Sequence, residues 1–86
     1  MAHTWIARDG PMPTLKDFGA FKITMYFGDH PPPHVHVLTP DQRGATVAIR
    51  GGRMLQGELP PAVQRKARAW IAANRAMLLN KWNEMT

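Results

Sequence analysis

The chain has 86 residues, enough for one domain with a modest hydrophobic core. It contains no cysteine, which excludes disulfides and thiolate metal sites, and no apolar stretch approaches the ~20 residues of a membrane span. The formal net charge of +5 favours an anionic partner, either a nucleic acid or an acidic protein.

The first residues of the chain show no sustained hydrophobic period. We expect residues 1–11 to form an N-terminal arm and residues 12–86 to form a single compact domain. The N-terminus has no basic segment followed by a continuous apolar run, so we expect no cleaved signal peptide and a cytoplasmic protein.

The first predicted element is a strand over residues 21–27, where apolar and polar side chains alternate strictly. Lys22, Thr24 and Tyr26 are expected on its outer face. Gly28 ends the strand, and a histidine- and proline-rich segment follows.

A second strand is predicted over residues 34–38, again from an alternating pattern. Val35 and Val37 are expected to face the core. Because alternate residues of a strand point to opposite faces, His34 and His36 should lie together on the outer face, away from the helix.

Two further strands are predicted, over residues 45–50 and 53–57, with Arg50 pointing outward. The two glycines between them, Gly51 and Gly52, are a strong hairpin signal. Short links of this kind are typical of antiparallel neighbours.

The last third of the chain predicts one long helix that Pro60 and Pro61 open, since proline is tolerated in a first turn. Residues 60–86 carry five basic residues and one acid, a balance of 5 − 1 = +4. Apolar residues at helical spacing form one broad face: Val63, Ala67, Trp70, Ile71, Met77, Leu78 and Met85. Arginines form a stripe on another face: Arg65, Arg68 and Arg75.

These elements predict a two-layer α+β fold. We expect a three- to four-stranded, mainly antiparallel sheet with one long C-terminal helix packed on one face.

The segment 29–36 carries the strongest chemical signal, because three of the four histidines of the chain lie within eight residues. His34 and His36 are candidate acid and base catalysts near neutral pH. On the same expected sheet face, Lys22 and Arg50 are candidate phosphate contacts, and Tyr26 is a candidate stacking platform for an unpaired base. This pattern predicts a surface that binds or cleaves RNA and requires no cofactor.

Three alternatives remain open for these residues. Two imidazoles on one side of a strand, with Asp29 or His30 folded in, also suit a metal ion. Alternatively, the prolines and Asp29 form only a rigid turn. The arginine stripe could instead dock an acidic partner protein in a module without enzymatic activity.

From residue 12 onward the chain resembles a small bacterial family, domain-of-unknown-function family 4160. The resemblance is carried by residues 12–14, 25–27, 29–36, 57–60 and 74–82, and above all by the Asp-His-x-Pro-Pro-His-x-His pattern. It implies a compact α+β domain with Asp29, His30, His34 and His36 as motif positions. It also implies a neighbouring small protein as partner, in a layout similar to toxin–antitoxin pairs. We therefore expect a toxin-like component that acts on RNA.

Overall fold

The computed structural model describes residues 14–26, 28–41 and 43–85. The arm predicted for residues 1–11 lies outside this part of the chain, and so does residue 27, the last residue of the first predicted strand. Within the described residues the secondary structure comprises five strands and two helices. The strands are β1 (Thr14–Asp17), β2 (Lys22–Thr24), β3 (His34–Leu38), β4 (Gly44–Ala48) and β5 (Met54–Gly57). The helices are α1 (Pro61–Ala73) and α2 (Arg75–Met85).

The five strands form one antiparallel sheet in chain order, β1-β2-β3-β4-β5. The antiparallel α+β prediction is therefore confirmed. The number of strands was wrong, because β1 adds an edge strand that pairs with β2 across an irregularity in register. Its residues are mostly exposed, so it shows no apolar alternation by which the sequence would have revealed it.

The register of the sheet aligns apolar residues on one face and polar residues on the other. Ile23 pairs with Val37, and Val37 pairs with Ala45, which places three apolar side chains side by side. One position along, Thr24 pairs with His36, which in turn pairs with Thr46. The predicted direction of Val37 and His36 is thus confirmed within the sheet.

The core lies between the apolar face of the sheet and the two helices. Its buried members form one cluster: Phe21, Ile23, Met25, Val35, Val37, Ala45, Val47, Ile49, Leu59, Ala67, Ile71, Leu78, Trp82 and Met85. Burying these side chains is the main force that holds the helices on the sheet. Met77, predicted on the apolar face, is instead 42% exposed.

The prediction of a single long helix in the C-terminal third is wrong. The helix is interrupted at Asn74, which separates α1 from α2. Asn74 leaves helical geometry with φ −118° and ψ 21°. Its side-chain Nδ2 donates a hydrogen bond of 2.8 Å to the carbonyl oxygen of Trp70. The backbone N–H of Asn74 also donates to the carbonyl oxygen of Trp70, at 3.0 Å, so this oxygen accepts both bonds.

Candidate Asp–His–His centre

The loop from β2 to β3 carries the histidine-rich segment, and it is fixed by backbone bonds at both ends. The Gly28 N–H donates to the carbonyl oxygen of Met85 at 2.9 Å, which ties the start of the loop to the last residue of α2. Gly28 has φ +68°, a value that glycine adopts without steric cost. At the other end, Ile49 N–H donates to Pro33 O at 3.0 Å. The peptide bond between Pro31 and Pro32 is cis.

Asp29 folds back from this loop onto β3, and its carboxylate meets both strand histidines. Its Oδ2 lies 3.0 Å from His34 Nε2 and 2.8 Å from His36 Nε2. One ligand atom from each of the three residues can be chosen so that all lie within 4.8 Å of one another. We call these three residues the Asp–His–His centre.

His34 is the most constrained member of the centre. It is 8% exposed, and its ring packs against the Trp82 ring of α2 with 5.2 Å between centroids. Its Nδ1–H donates to Pro32 O at 2.8 Å, while its Nε2 faces the Asp29 carboxylate. Both ring nitrogens therefore face oxygen atoms that can only accept hydrogen bonds.

His36 is the more accessible histidine. Its side chain is 19% exposed, and its ring lies 4.2 Å from the Tyr26 ring, centroid to centroid. Its Nε2 forms a hydrogen bond with Asp29 Oδ2, whereas its Nδ1 has no hydrogen bond within the described part of the chain. His36 also lines a shallow groove of about 410 Å³ that runs over β3, β4 and β5.

The centre stabilises a negative charge on Asp29. Burial alone would raise the pKa of this carboxyl. The hydrogen bond from His36, the backbone N–H of His30 and the charges of His34 and His36 outweigh burial, so the pKa lies below its usual value of 3.8. Asp29 is therefore ionised at neutral pH and can accept hydrogen bonds or bind a cation.

The remaining residues that the sequence assigned to this site do not join the centre. His30 is exposed, and only its backbone N–H contacts Asp29, at 3.1 Å from Oδ1. Lys22 and Arg50 are also exposed, and among the described residues neither has a hydrogen bond or an ion pair with the centre.

The expectation that both imidazoles face away from the helices is wrong for His34. The final turns of α2 reach over the end of β3, so Trp82 covers the ring that the strand pattern places on the outer face. Ala48, which pairs with His34 in the sheet, is also buried. A sequence pattern of period two indicates which face of the sheet a side chain occupies. It does not indicate whether another element covers that face at the end of a strand.

Two residues near the centre were not singled out as functional from the sequence. Trp82 belongs to the core cluster, and its ring also packs on His34. Thr24, directly across from His36, is 4% exposed, and its hydroxyl has no partner within the described residues. The position of Thr24 beside His36 follows from the pairing of β2 with β3. This cross-strand register cannot be read from the sequence alone.

The arginine stripe predicted from the sequence lines one concave surface. Arg65, Arg68 and Arg75 border a groove of about 560 Å³ together with Gly51 and Gly52. We call this surface the arginine groove. Its lining shares no residue with the Asp–His–His centre.

Neither helix, as far as the structure describes the chain, has the length and apolar character that crossing a membrane would require. Comparison with curated proteins and with solved structures gives no match. The sequence model described as "Domain of unknown function (DUF4160)" matches residues 20–83, a range that contains every residue of the Asp–His–His centre. The chain therefore belongs to the DUF4160 family.

Proposed function

We propose that this protein is a small metal-dependent phosphodiesterase that acts on RNA as the toxin-like member of a toxin–antitoxin-type pair. The observation that carries the metal proposal is the surroundings of His34. Its two ring nitrogens face the Pro32 carbonyl oxygen at 2.8 Å and the Asp29 carboxylate at 3.0 Å. Since neither oxygen can donate, either a second ring proton or a cation must lie between His34 Nε2 and Asp29.

A divalent cation suits the centre in three respects. Two imidazoles and one carboxylate form a donor set that zinc and other first-row ions accept, and three protein ligands leave a position open for water or substrate. The bond from His34 Nδ1–H to Pro32 O leaves Nε2 as the ligand atom, an arrangement typical of metal-binding histidines. With metal–ligand bonds of about 2.0–2.1 Å, tetrahedral ligands stand about 3.3 Å apart. The two carboxylate–imidazole distances of 2.8 and 3.0 Å would widen by a few tenths of an ångström, and the three ligand atoms already lie within 4.8 Å of one another.

RNA as the substrate is supported by charge and by the surroundings of His36. The chain carries a formal net charge of +5, which attracts a phosphate backbone. The groove of about 410 Å³ that begins at His36 continues past Thr46 and Gln56, two neutral side chains that can hydrogen-bond to a substrate. Tyr26 lies on His36 and remains half-buried, so part of its ring is accessible to a base.

In this proposal the histidines position the ion instead of exchanging protons with the substrate. A bound ion would activate water and offset the charge that develops on the phosphate. Asp29 and His34 would hold the ion together with His36, which would present it to the groove. This assignment replaces the acid and base roles that the sequence suggested for His34 and His36.

The test uses protein purified without an affinity tag, because a histidine tag would itself bind metal. The protein is treated with chelator, and cleavage of total RNA is followed before and after addition of Zn²⁺ or Mn²⁺. We expect cleavage only with metal, and a loss of at least about 100-fold in His36→Ala. His30→Ala is the matched control, because His30 belongs to the same loop but its exposed side chain lies outside the centre. It should remain within about threefold of the wild type.

Two outcomes would contradict the proposal. Cleavage that persists in chelator but disappears in His36→Ala would return His36 to an acid–base role without a metal. Cleavage that is unchanged in both Asp29→Asn and His36→Ala would remove the centre from the reaction altogether.

The toxin-like role is tested in cells. Induced expression of the wild type should arrest bacterial growth, His36→Ala should not, and co-expression of the neighbouring small protein should relieve the arrest. Growth that is equally unaffected by wild type and variant would contradict this part of the proposal.

A further inference from the structure

The arginine groove is a second charged surface, separate from the Asp–His–His centre. Arg65 and Arg68 lie on α1, and Arg75 begins α2. All three are exposed. Arg75 is also anchored, because its Nε donates to the carbonyl oxygen of Ile49 at 3.1 Å.

The three positive charges in this groove have no acidic neighbour among the described residues. No acidic residue lines the groove, and none of the three arginines forms an ion pair in this part of the chain. Small residues leave the surface between them open, namely Gly51, Gly52, Ala69 and Ala72. The volume of about 560 Å³ falls within the usual range of binding sites, ~300–1,000 Å³.

We propose that the arginine groove binds an acidic polypeptide segment of a partner protein. Guanidinium groups present a fork of donors that matches carboxylates in a bidentate manner. From Arg65 to Arg75 the helices rise by about 15 Å, at ~1.5 Å per residue. An extended segment of about five residues spans this distance, and its alternate side chains can present carboxylates to successive arginines.

Two other occupants fit the groove less well. Proteins that bind single-stranded nucleic acid combine positive charge with aromatic rings on which bases stack, and no aromatic residue lines this groove. A second copy of this chain, with its own net charge of +5, would bring net repulsion. An acidic segment of a different protein has neither disadvantage.

This inference does not depend on the chemistry proposed for the Asp–His–His centre. The groove would hold its partner equally well whether or not the protein cleaves RNA. The test therefore measures binding alone, with a defined probe.

The probe is a fluorescein-labelled peptide of about ten residues that alternates glutamate and alanine, measured by fluorescence anisotropy at low salt. We expect Arg65→Glu/Arg68→Glu to raise the Kd at least about tenfold, since two attractive contacts become repulsive. Arg53→Glu/Lys66→Glu is the matched control: it changes the net charge equally at exposed residues outside the groove. It should alter the Kd by no more than about threefold. Arg75 stays unchanged in both variants because its bond to Ile49 supports the fold.

A neutral variant, Arg65→Gln/Arg68→Gln, is measured as well, so that the test does not depend on the folding of the charge-reversed protein. It should weaken binding by several-fold. Equal weakening in the groove variant and in the control variant would show that only net charge matters, and would overturn the proposal. A labelled oligouridylate of similar length provides the second comparison. If the groove variants lose oligouridylate but keep the peptide, the occupant is a nucleic acid and the proposal is wrong.

Discussion

Replacing Asp29 by asparagine is the sharpest test of the Asp–His–His centre. The substitution keeps the size of the side chain but removes the charge that faces His34 at 3.0 Å and His36 at 2.8 Å. A hydrogen bond to a charged group contributes about 1.5–3 kcal/mol, against about 1 kcal/mol for a neutral one. The Asp29 side chain is 19% exposed, so solvent reduces this difference.

For the two bonds together we expect Asp29→Asn to lower the free energy of unfolding by about 2 kcal/mol in the absence of metal. In a domain of this size that corresponds to a fall in Tm of about 8–16 °C, at ~4–8 °C per kcal/mol. Added metal should produce a second and larger difference in the free energy of unfolding between the wild type and Asp29→Asn. Zn²⁺ at about 100 times its Kd should stabilise the wild type by about 2.7 kcal/mol and should barely affect Asp29→Asn.

The assay is thermal unfolding followed by circular dichroism, with Zn²⁺ or with chelator. Asp41→Asn is the matched control, because Asp41 also accepts hydrogen bonds but lies in the β3–β4 turn with Thr39 and Arg43. Its response to Zn²⁺ should equal that of the wild type. If Zn²⁺ stabilises Asp29→Asn as strongly as the wild type, the carboxylate is not a ligand and the reasoning fails.

The same pair of proteins gives a prediction for pH. The pKa of Asp29 in the folded protein lies below its usual value of 3.8, so the carboxylate contributes stability above that pH. This contribution is lost as the pH falls through the lower, folded-state pKa. In chelator, the difference in Tm between wild type and Asp29→Asn should therefore shrink below about pH 4. A difference that grows as the pH falls below about 4 would contradict the assignment.

Four further substitutions test the fold by urea denaturation, two of them beside the centre. Trp82→Ala should cost about 3–5 kcal/mol, because this 6% exposed ring belongs to the core and also packs on His34; a loss below about 1 kcal/mol would contradict that burial. Thr24→Val should be neutral or stabilise by up to about 1 kcal/mol, since the buried hydroxyl has no partner among the described residues; a clear loss would reveal a partner outside them. Gly57→Ala should prevent normal pairing of β4 with β5, because at φ +78° a Cβ would overlap the Gly44 carbonyl oxygen and approach Ala45 Cα to 2.9 Å. Gly19→Ala, at φ +85° in open space, should cost only about 1–2 kcal/mol, and equal losses for the two glycines would refute the steric argument.

Hydrophobic alternation was sufficient to predict the central strands of the sheet. Ile23, Val35, Val37 and Val47 are fully buried, as their spacing requires. It failed for β1, an edge strand whose side chains are mostly exposed. It also failed at Asn74, whose backbone leaves helical geometry within a sequence that otherwise continues as a helix.

The site was predictable in composition but not in arrangement. The sequence indicated that Asp29, His34 and His36 belong to one motif and that the two histidines share a sheet face. It did not show that Asp29 turns back onto both histidines, because that depends on backbone dihedral angles throughout the loop. Nor did it show that Trp82 covers His34, since this contact joins residues 48 positions apart in the sequence.

The bond between the Gly28 amide and the Met85 carbonyl makes the docking of α2 observable. It joins the start of the loop that carries Asp29 to the last residue of α2. Exchange of the Gly28 amide with deuterated solvent therefore reports how often α2 detaches. An ion held by Asp29 and His34 should slow that exchange, because it would bind the docked arrangement and not the open one. A single amide proton would thus record both the folding of the C-terminal helix and the occupancy of the centre.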